Sequence, residues 1–181
     1  MSRTALLIIP LLWLAAAAAQ TLPTPAFTLT EHSLGRLQPG GDPTTLVFSG
    51  DGRRMAYVAR SDAGQRVVVD GVAGEPYERI GSGSIVFSRD GAQVAYSVRL
   101  ADGEHVVADG RRGPRFDAVI ESSLSFRPGQ SEVSYAAQRG EEVVLVVDGR
   151  EVGTFADVHP AGPTFSPDGQ TLAYGIRRGT Q

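Results

Sequence analysis

Short apolar runs alternate with turn residues along most of the chain, which is the pattern of a β-rich protein. The run from Thr45 to Phe48 is β-branched and aromatic, "SGDGR" follows as a turn, and the run from Met55 to Arg60 predicts a second strand. "RVVVD" (66–70) predicts a third strand, and "PYERI" (76–80) predicts a fourth after a glycine turn. Asp-Gly suits these turns because Asp tolerates left-handed backbone and Gly takes positive φ without strain.

This pattern recurs every 39 residues without insertion or deletion. The residue before each recurring tyrosine is always small, which predicts that the aromatic ladder forms a core between closely packed units rather than an exposed binding strip. Four short strands in about 40 residues predict the blade of a β-propeller. The recurring positions are Phe48, Phe87, Phe126 and Phe165; Ala56, Ala95, Ser134 and Ala173; Tyr57, Tyr96, Tyr135 and Tyr174; Asp70-Gly71, Asp109-Gly110 and Asp148-Gly149; and Tyr77, Phe116 and Phe155.

Three of the four turns after the recurring phenylalanine share a motif. "FSGDGRRMAY", "FSRDGAQVAY" and "FSPDGQTLAY" resemble the TolB-type propeller repeat, a WD-like blade motif of exported bacterial proteins. The resemblance covers 45–181 and implies the propeller fold, and this repeat occurs both in translocation accessory proteins and in the propellers of prolyl-oligopeptidase-like enzymes. The third unit, "FRPGQSEVSY", has Gly129 where the others have Asp51, Asp90 and Asp168. We therefore predict that these aspartates form turns and are neither metal ligands nor catalytic groups.

Counting the units leaves the blade number open between two alternatives. The predicted units are 45–83, 84–122, 123–161 and the partial unit 162–181. Because propellers avoid exposed sheet edges, we expect a four-bladed ring whose last blade is completed by the N-terminal segment 20–44. The alternative is an incomplete propeller fragment.

The first 19 residues have the layout of a secretory signal peptide. Arg3 precedes an apolar run, and small residues end at Ala19, which predicts cleavage there and a periplasmic or secreted protein without stable membrane insertion. The chain has a formal net charge of −3, 3 His and no Cys, so we expect no nucleic-acid partner and no zinc or other cofactor.

Loops opposite the Asp-Gly turns form the candidate binding face. They carry polar side chains after the second strands and at the crossings between units, and three arginines end second strands there, where guanidinium groups suit a protein, peptide or small acidic ligand. These candidate residues are Arg60, Arg99, Arg177, Gln138, Asp62, Asp102, Arg139, Glu141, Ser82, Glu121 and His159.

The sequence thus predicts an exported β-propeller that acts as a binding scaffold. One alternative is a periplasmic hydrolase built on the propeller, with acids and His159 at the channel mouth. Another is a fragment of a larger protein such as a prolyl-oligopeptidase-like peptidase.

Overall fold

Short strands dominate the fold. The computed structural model describes residues 31, 33–159 and 162–176, and the predicted signal peptide, most of 20–32 and Arg177 lie outside this part. The chain divides into the units 1–31 and 32–181, and all described strands belong to the second.

The described strands form four antiparallel sheets, here called I to IV, none of which closes on itself. Sheet I contains β1 (Val47–Phe48), β2 (Met55–Ser61), β3 (Gly64–Val69) and β4 (Val72–Ala73). Sheet II contains β5 (Arg79–Ile80), β6 (Val86–Phe87), β7 (Val94–Leu100), β8 (Gly103–Ala108) and β9 (Arg111–Arg112). Sheet III contains β10 (Ala118–Val119), β11 (Ser125–Phe126), β12 (Val133–Arg139), β13 (Glu142–Val147) and β14 (Arg150–Phe155). Sheet IV contains β15 (Thr164–Phe165) and β16 (Leu172–Ala173).

The first strand of sheets II and III is broken in the middle. Both β5 and β6 pair with β7, and both β10 and β11 pair with β12. A hydroxyl closes each gap: Ser84 Oγ donates to Gly81 O and accepts from Ser97 N, and Ser123 Oγ donates to Ile120 O and accepts from Ala136 N. The break therefore leaves no unpaired backbone group at these positions.

The crossing between sheets corrects one prediction. Tyr77 pairs with Gln65 of sheet I, whereas Arg79 and Ile80 pair with β7 of sheet II. "PYERI" is therefore not one strand, because the chain changes sheets at Glu78. The fourth strand of sheet I is instead β4, and the change of sheet comes a few residues before the predicted unit boundary at 83.

Successive sheets pack face to face through apolar clusters. Ala56 and Tyr96 belong to the cluster between sheets I and II, and Ala95 and Tyr135 to the cluster between sheets II and III. Because side chains alternate along a strand, sheets I and II turn their alanines toward the next sheet, and sheets II and III turn their tyrosines toward the preceding one. Both alanines have no exposed surface. The small residue is therefore required by the aromatic ring that faces it.

The prediction of a fully buried aromatic ladder is correct in the middle of the series and wrong at its ends. Phe48 is 52% exposed and Tyr174 is 44% exposed. Phe87 and Phe165 each lie under an arginine of the preceding sheet, Arg54 and Arg127, whereas no described guanidinium covers Phe48. Tyr174 contacts Phe155, but sheet IV has no third strand among the described residues.

The Asp-Gly positions form turns, as expected. Asp51 Oδ1 accepts hydrogen bonds from Ser49 Oγ and Arg53 N, and these donors lower the pKa of the carboxyl. Asp90 and Asp168 make the equivalent bonds. The second set of Asp-Gly turns has left-handed backbone at the aspartate itself, with φ of 50° at Asp70. Local geometry therefore accounts for these carboxylates.

The segment before β1 lies against sheet I. Gln38 N donates to Tyr57 Oη, Gly41 pairs with Ala59, and Leu34 packs on the cluster that contains Met55. Its described part, 33–45, makes these backbone contacts with sheet I. Residues 20–30, which belong to the segment predicted to complete the last blade, lie outside the described residues.

We predict that Ala95→Leu lowers the free energy of unfolding by about 1–3 kcal/mol, because the larger side chain meets the Tyr135 ring at the interface of sheets II and III. Chemical denaturation measures the change. The matched variant Ala101→Leu, in an exposed turn, is expected to change stability by less than about 0.5 kcal/mol. Equal effects of the two variants would contradict the packing account.

Candidate functional site

A groove of about 520 Å³ opens between sheets I and II beside the crossing of the chain. Two residues of the predicted binding face, Arg60 and Ser82, line it together with Arg79, which sequence reasoning did not select. The apolar floor comes from Val47, Val58 and Ile85. A cavity of this volume with a few polar groups over an apolar floor has the general character of a ligand site.

One wall of the groove is a short 3₁₀ helix at Pro43–Thr45. Asp42 caps this helix, because its carboxylate accepts from Thr44 N at 3.0 Å and from Thr44 Oγ1 at 2.6 Å. These bonds, with a smaller contribution from the Arg60 charge, lower the pKa of Asp42. Thr45 Oγ1 accepts from Val58 N and donates to Asp42 O, as the serines do at the breaks in sheets II and III. The wall is thus fixed to the core of sheet I.

A buried carboxylate organises the charges at the far side of the groove. Glu104 is 4% exposed, and its Oε1 accepts from Arg79 at 2.8 Å and from Arg99 at 3.3 Å. Its Oε2 accepts from Val119 N at 2.8 Å. The Arg79 guanidinium also lies 3.4 Å from Glu121. Because the Glu104 charge is paired and hydrogen-bonded, its burial is tolerated.

The residue of sheet I that corresponds to Glu104 bonds the chain where it crosses from sheet I to sheet II. Gln65 precedes Glu104 by 39 residues, and its Oε1 accepts from Ile80 N at 2.8 Å. A side-chain oxygen from β3 of sheet I, and one from β8 of sheet II, therefore accept a hydrogen bond from a backbone N–H of the next sheet. A glutamine and a glutamate, which both carry a carbonyl oxygen, occupy this position in successive units. That recurrence is the sequence signal by which the two residues could have been identified. Arg79 gives no such signal, because its counterpart in the next unit is Ala118.

Arg60 is the predicted arginine that remains open to a ligand. It is exposed on the groove wall, and among the described residues it makes no ion pair within 4 Å. Arg99 differs, since Glu104 already neutralises it. Arg177 lies outside the described residues. Among the described members of the predicted arginine ring, Arg60 is thus the one without an ion pair, and the neighbouring Arg79 is partly exposed but paired with Glu104 and Glu121.

Three predicted residues lie on sheet III, away from this groove. Arg139 forms a two-bond ion pair with Glu151 and lies over the Phe116 ring at 5.1 Å. The Glu151 hydrogen bond raises the pKa of Arg139, and the reciprocal bond lowers that of Glu151. Gln138 donates to Gly140 O, and Glu141 is exposed. Arg139 thus has a structural partner and is not a free binding group.

The remaining predicted residues are dispersed. Asp62 is exposed on the turn between β2 and β3. Asp102 lies 3.3 Å from the buried His105 ring, whose hydrogen bond lowers the pKa of the Asp102 carboxyl. His159 is exposed, and its backbone N donates to Gly175 O. The groove therefore collects Arg60 and Ser82, Glu121 and Arg99 lie beside it, and the other described candidates lie elsewhere.

No protein-family model matches the chain, and no curated protein matches it with significant similarity. Within the described ranges, no group of three or more His, Cys, Asp and Glu side chains is arranged to hold a metal ion. The described part also contains no helix long and apolar enough to cross a membrane.

We predict that Glu104→Gln is tolerated, because Gln65 already performs the same bond in sheet I, whereas Glu104→Met destabilises the protein. Methionine leaves Val119 N without its acceptor, which costs about 1–3 kcal/mol. Thermal and urea unfolding of both variants measure the difference. If the two variants unfold alike, the hydrogen bond to Val119 N is not the reason for a carbonyl group at this position.

Proposed function

We propose that the chain is an exported, TolB-like β-propeller that acts as a non-catalytic binding scaffold. The support is the 39-residue register, in which sheets I and II each turn an alanine toward the tyrosine of the next sheet. Equivalent strands begin at Met55, Val94 and Val133. Repetition of one sheet-to-sheet packing geometry is how propeller blades are arranged around an axis.

We further propose that four blades close into a ring through residues 25–30. The register carries this proposal: β3 begins at Gly64, and the position 39 residues earlier is Pro25, which opens the run "PAFTLT". Gln38 likewise precedes Tyr77 by 39 residues, and Gln38 bonds Tyr57 of sheet I as Tyr77 contacts Tyr96, the counterpart of Tyr57 in sheet II. Residues 25–30 would then be the third strand of sheet IV.

The closure has a direct chemical test, because the chain has no Cys. Val58 pairs with Val67 in sheet I, and the same register pairs Gly175 with Thr28. The double variant Thr28→Cys, Gly175→Cys is expected to form an intramolecular disulfide on mild oxidation, since paired Cα atoms lie within bonding range, about 4.4–6.8 Å. Mass spectrometry of the non-reduced tryptic digest measures the bond.

The matched control is Thr28→Cys with Arg53→Cys, because Arg53 lies in an exposed turn of sheet I. That pair is expected to stay reduced or to cross-link between molecules. Equal intramolecular yields in the two variants would show that 25–30 has no fixed partner, and the ring proposal would be abandoned.

The proposed binding site is the groove between sheets I and II, and its ligand is an acidic peptide segment of a partner protein. The observation that carries this proposal is Arg60, an exposed guanidinium without an ion pair in the described part, beside an apolar floor and Arg79. A carboxylate is the group that a guanidinium binds with two parallel hydrogen bonds. An extended peptide would place apolar side chains on the floor and a carboxylate at Arg60.

We predict that Arg60→Glu abolishes binding of a fluorescein-labelled peptide with alternating Glu and Leu residues, measured by fluorescence anisotropy. Reversing the charge replaces attraction with repulsion, which is expected to lower the affinity by at least about tenfold. Arg53→Glu makes the same charge change outside the groove and is expected to bind as the unmodified protein does. If both variants bind equally well, or if the unmodified protein does not bind, the groove is not an acidic-peptide site.

A further inference from the structure

Arginine 54 closes the gap between sheets I and II at the Asp-Gly turns. Its Nε donates to Asp70 Oδ2 at 2.6 Å, and its NH1 donates to the backbone oxygens of Gly91 and Ala92 at 2.8 and 2.7 Å. The guanidinium lies 5.7 Å from the centre of the Phe87 ring. The cation thus has a carboxylate, two backbone oxygens and an aromatic ring around it.

The interface of sheets III and IV places a guanidinium in the equivalent position, from a different residue. Arg127 Nε donates to Gly169 O at 2.6 Å, its NH1 pairs with Glu132, and its guanidinium lies 5.5 Å from the Phe165 ring. In the 39-residue register Gly169 corresponds to Gly91 and Phe165 to Phe87. Residues at two different positions of the repeat therefore put a guanidinium beside the equivalent phenylalanine. This recurrence indicates that the location favours a guanidinium.

Between sheets II and III, neither of the two corresponding sequence positions is an arginine. The counterpart of Arg54 is Gln93, and the counterpart of Arg127 is Ser88. A cavity of about 470 Å³ lies here, lined by Gln93, Asp109 and Ser131 among others. Asp109 corresponds to Asp70, and Ser131 to Ala92. Asp109 and Ser131 of the cavity thus correspond to residues that accept hydrogen bonds from Arg54 at the interface of sheets I and II.

Polar groups around this cavity lack partners in the described part of the chain. Gln93 Oε1 and Tyr135 Oη are buried without a hydrogen bond, and Tyr135 is only 2% exposed. The counterpart of Tyr135 in sheet II, Tyr96, lies 6.3 Å from the ring of Tyr77, which carries a hydroxyl, whereas Tyr135 lies 6.0 Å from the ring of Phe116, which has none. Asp109 makes no ion pair within 4 Å, in contrast to Asp70. Buried unpaired polar atoms of this kind favour a ligand that supplies their partners.

We propose that the cavity between sheets II and III binds the guanidinium group of a ligand, an arginine side chain or a small guanidino compound. Asp109 is the counter-ion, the backbone oxygen of Ser131, at the register position of Ala92, accepts one N–H group, and Gln93 Oε1 accepts another. The site differs from the groove between sheets I and II and does not depend on it.

Two arginines at the mouth of the cavity limit the affinity. Arg111 and Arg112 line the cavity and are exposed, and Asp148 lies at the same mouth. Water and salt screen exposed charges, so these cations weaken binding without preventing it. The affinity expected for an isolated guanidinium probe is therefore weak, on the order of 1 mM.

The test titrates Nα-acetyl-L-argininamide into the ¹⁵N-labelled protein and follows backbone and side-chain amide shifts by NMR. Saturable shifts at Gln93, Ser131 and Gly149 are expected, and Nα-acetyl-L-citrullinamide, which has the same shape without the charge, is expected to leave them unchanged. A capped Gly-Gly-Arg-Gly-Gly peptide distinguishes a peptide ligand from a small molecule. Binding of both argininamide and the capped peptide indicates a peptide ligand, and binding of argininamide alone indicates a small molecule.

Three variants locate the site. Asp109→Asn keeps a residue that tolerates the φ of 50° there and is expected to weaken binding at least about fivefold. Gln93→Arg supplies the missing guanidinium and is expected to abolish binding and raise the melting temperature. Arg54→Gln is expected to open a second site with new shifts at Gly91 and Ala92. Equal binding of argininamide and citrullinamide, no binding of argininamide, or unchanged binding in Asp109→Asn would overturn the proposal.

Discussion

The fit of a tyrosine ring against an alanine of the preceding sheet is the contact on which the rest of the structure depends. Ala56 faces Tyr96 and Ala95 faces Tyr135, and both alanines are fully buried. This contact brings the sheets close enough for side chains of one sheet to bond the backbone of the next. Glu104 reaches Val119 N, and Arg54 reaches Gly91 O, only because the sheets are this close.

Differences between the interfaces, rather than the repeat itself, create the two candidate sites. The groove between sheets I and II is open beside Arg60, whereas Glu104, Arg79 and Glu121 form ion pairs at the neighbouring crossing. The cavity between sheets II and III lies where Gln93 stands at the register position of Arg54. Because the strands repeat from sheet to sheet, a single change of side chain is enough to distinguish one interface from the next.

Sequence reasoning predicted the strands and most of the core because the 39-residue spacing averages over four copies of the same pattern. It misassigned "PYERI" because Tyr77 and Arg79 belong to different sheets although both positions favour strand. At the site it found Arg60 and Ser82 by their place in the loops. It could not foresee that Glu104 would neutralise Arg99, because they lie five residues apart on separate strands and only the pairing of β7 and β8 brings them together.

Amide hydrogen exchange along β16 tests the central claim, a ring of four blades closed at sheet IV, most directly. Strand β2 of sheet I has partners on both edges, β1 and β3, whereas β16 has only β15 among the described residues. If 25–30 pairs with β16, the amides of 172–176 exchange as slowly as their counterparts in 55–59. Exchange of the outward-facing amides of β16 at the rate of an unpaired strand edge would contradict the account.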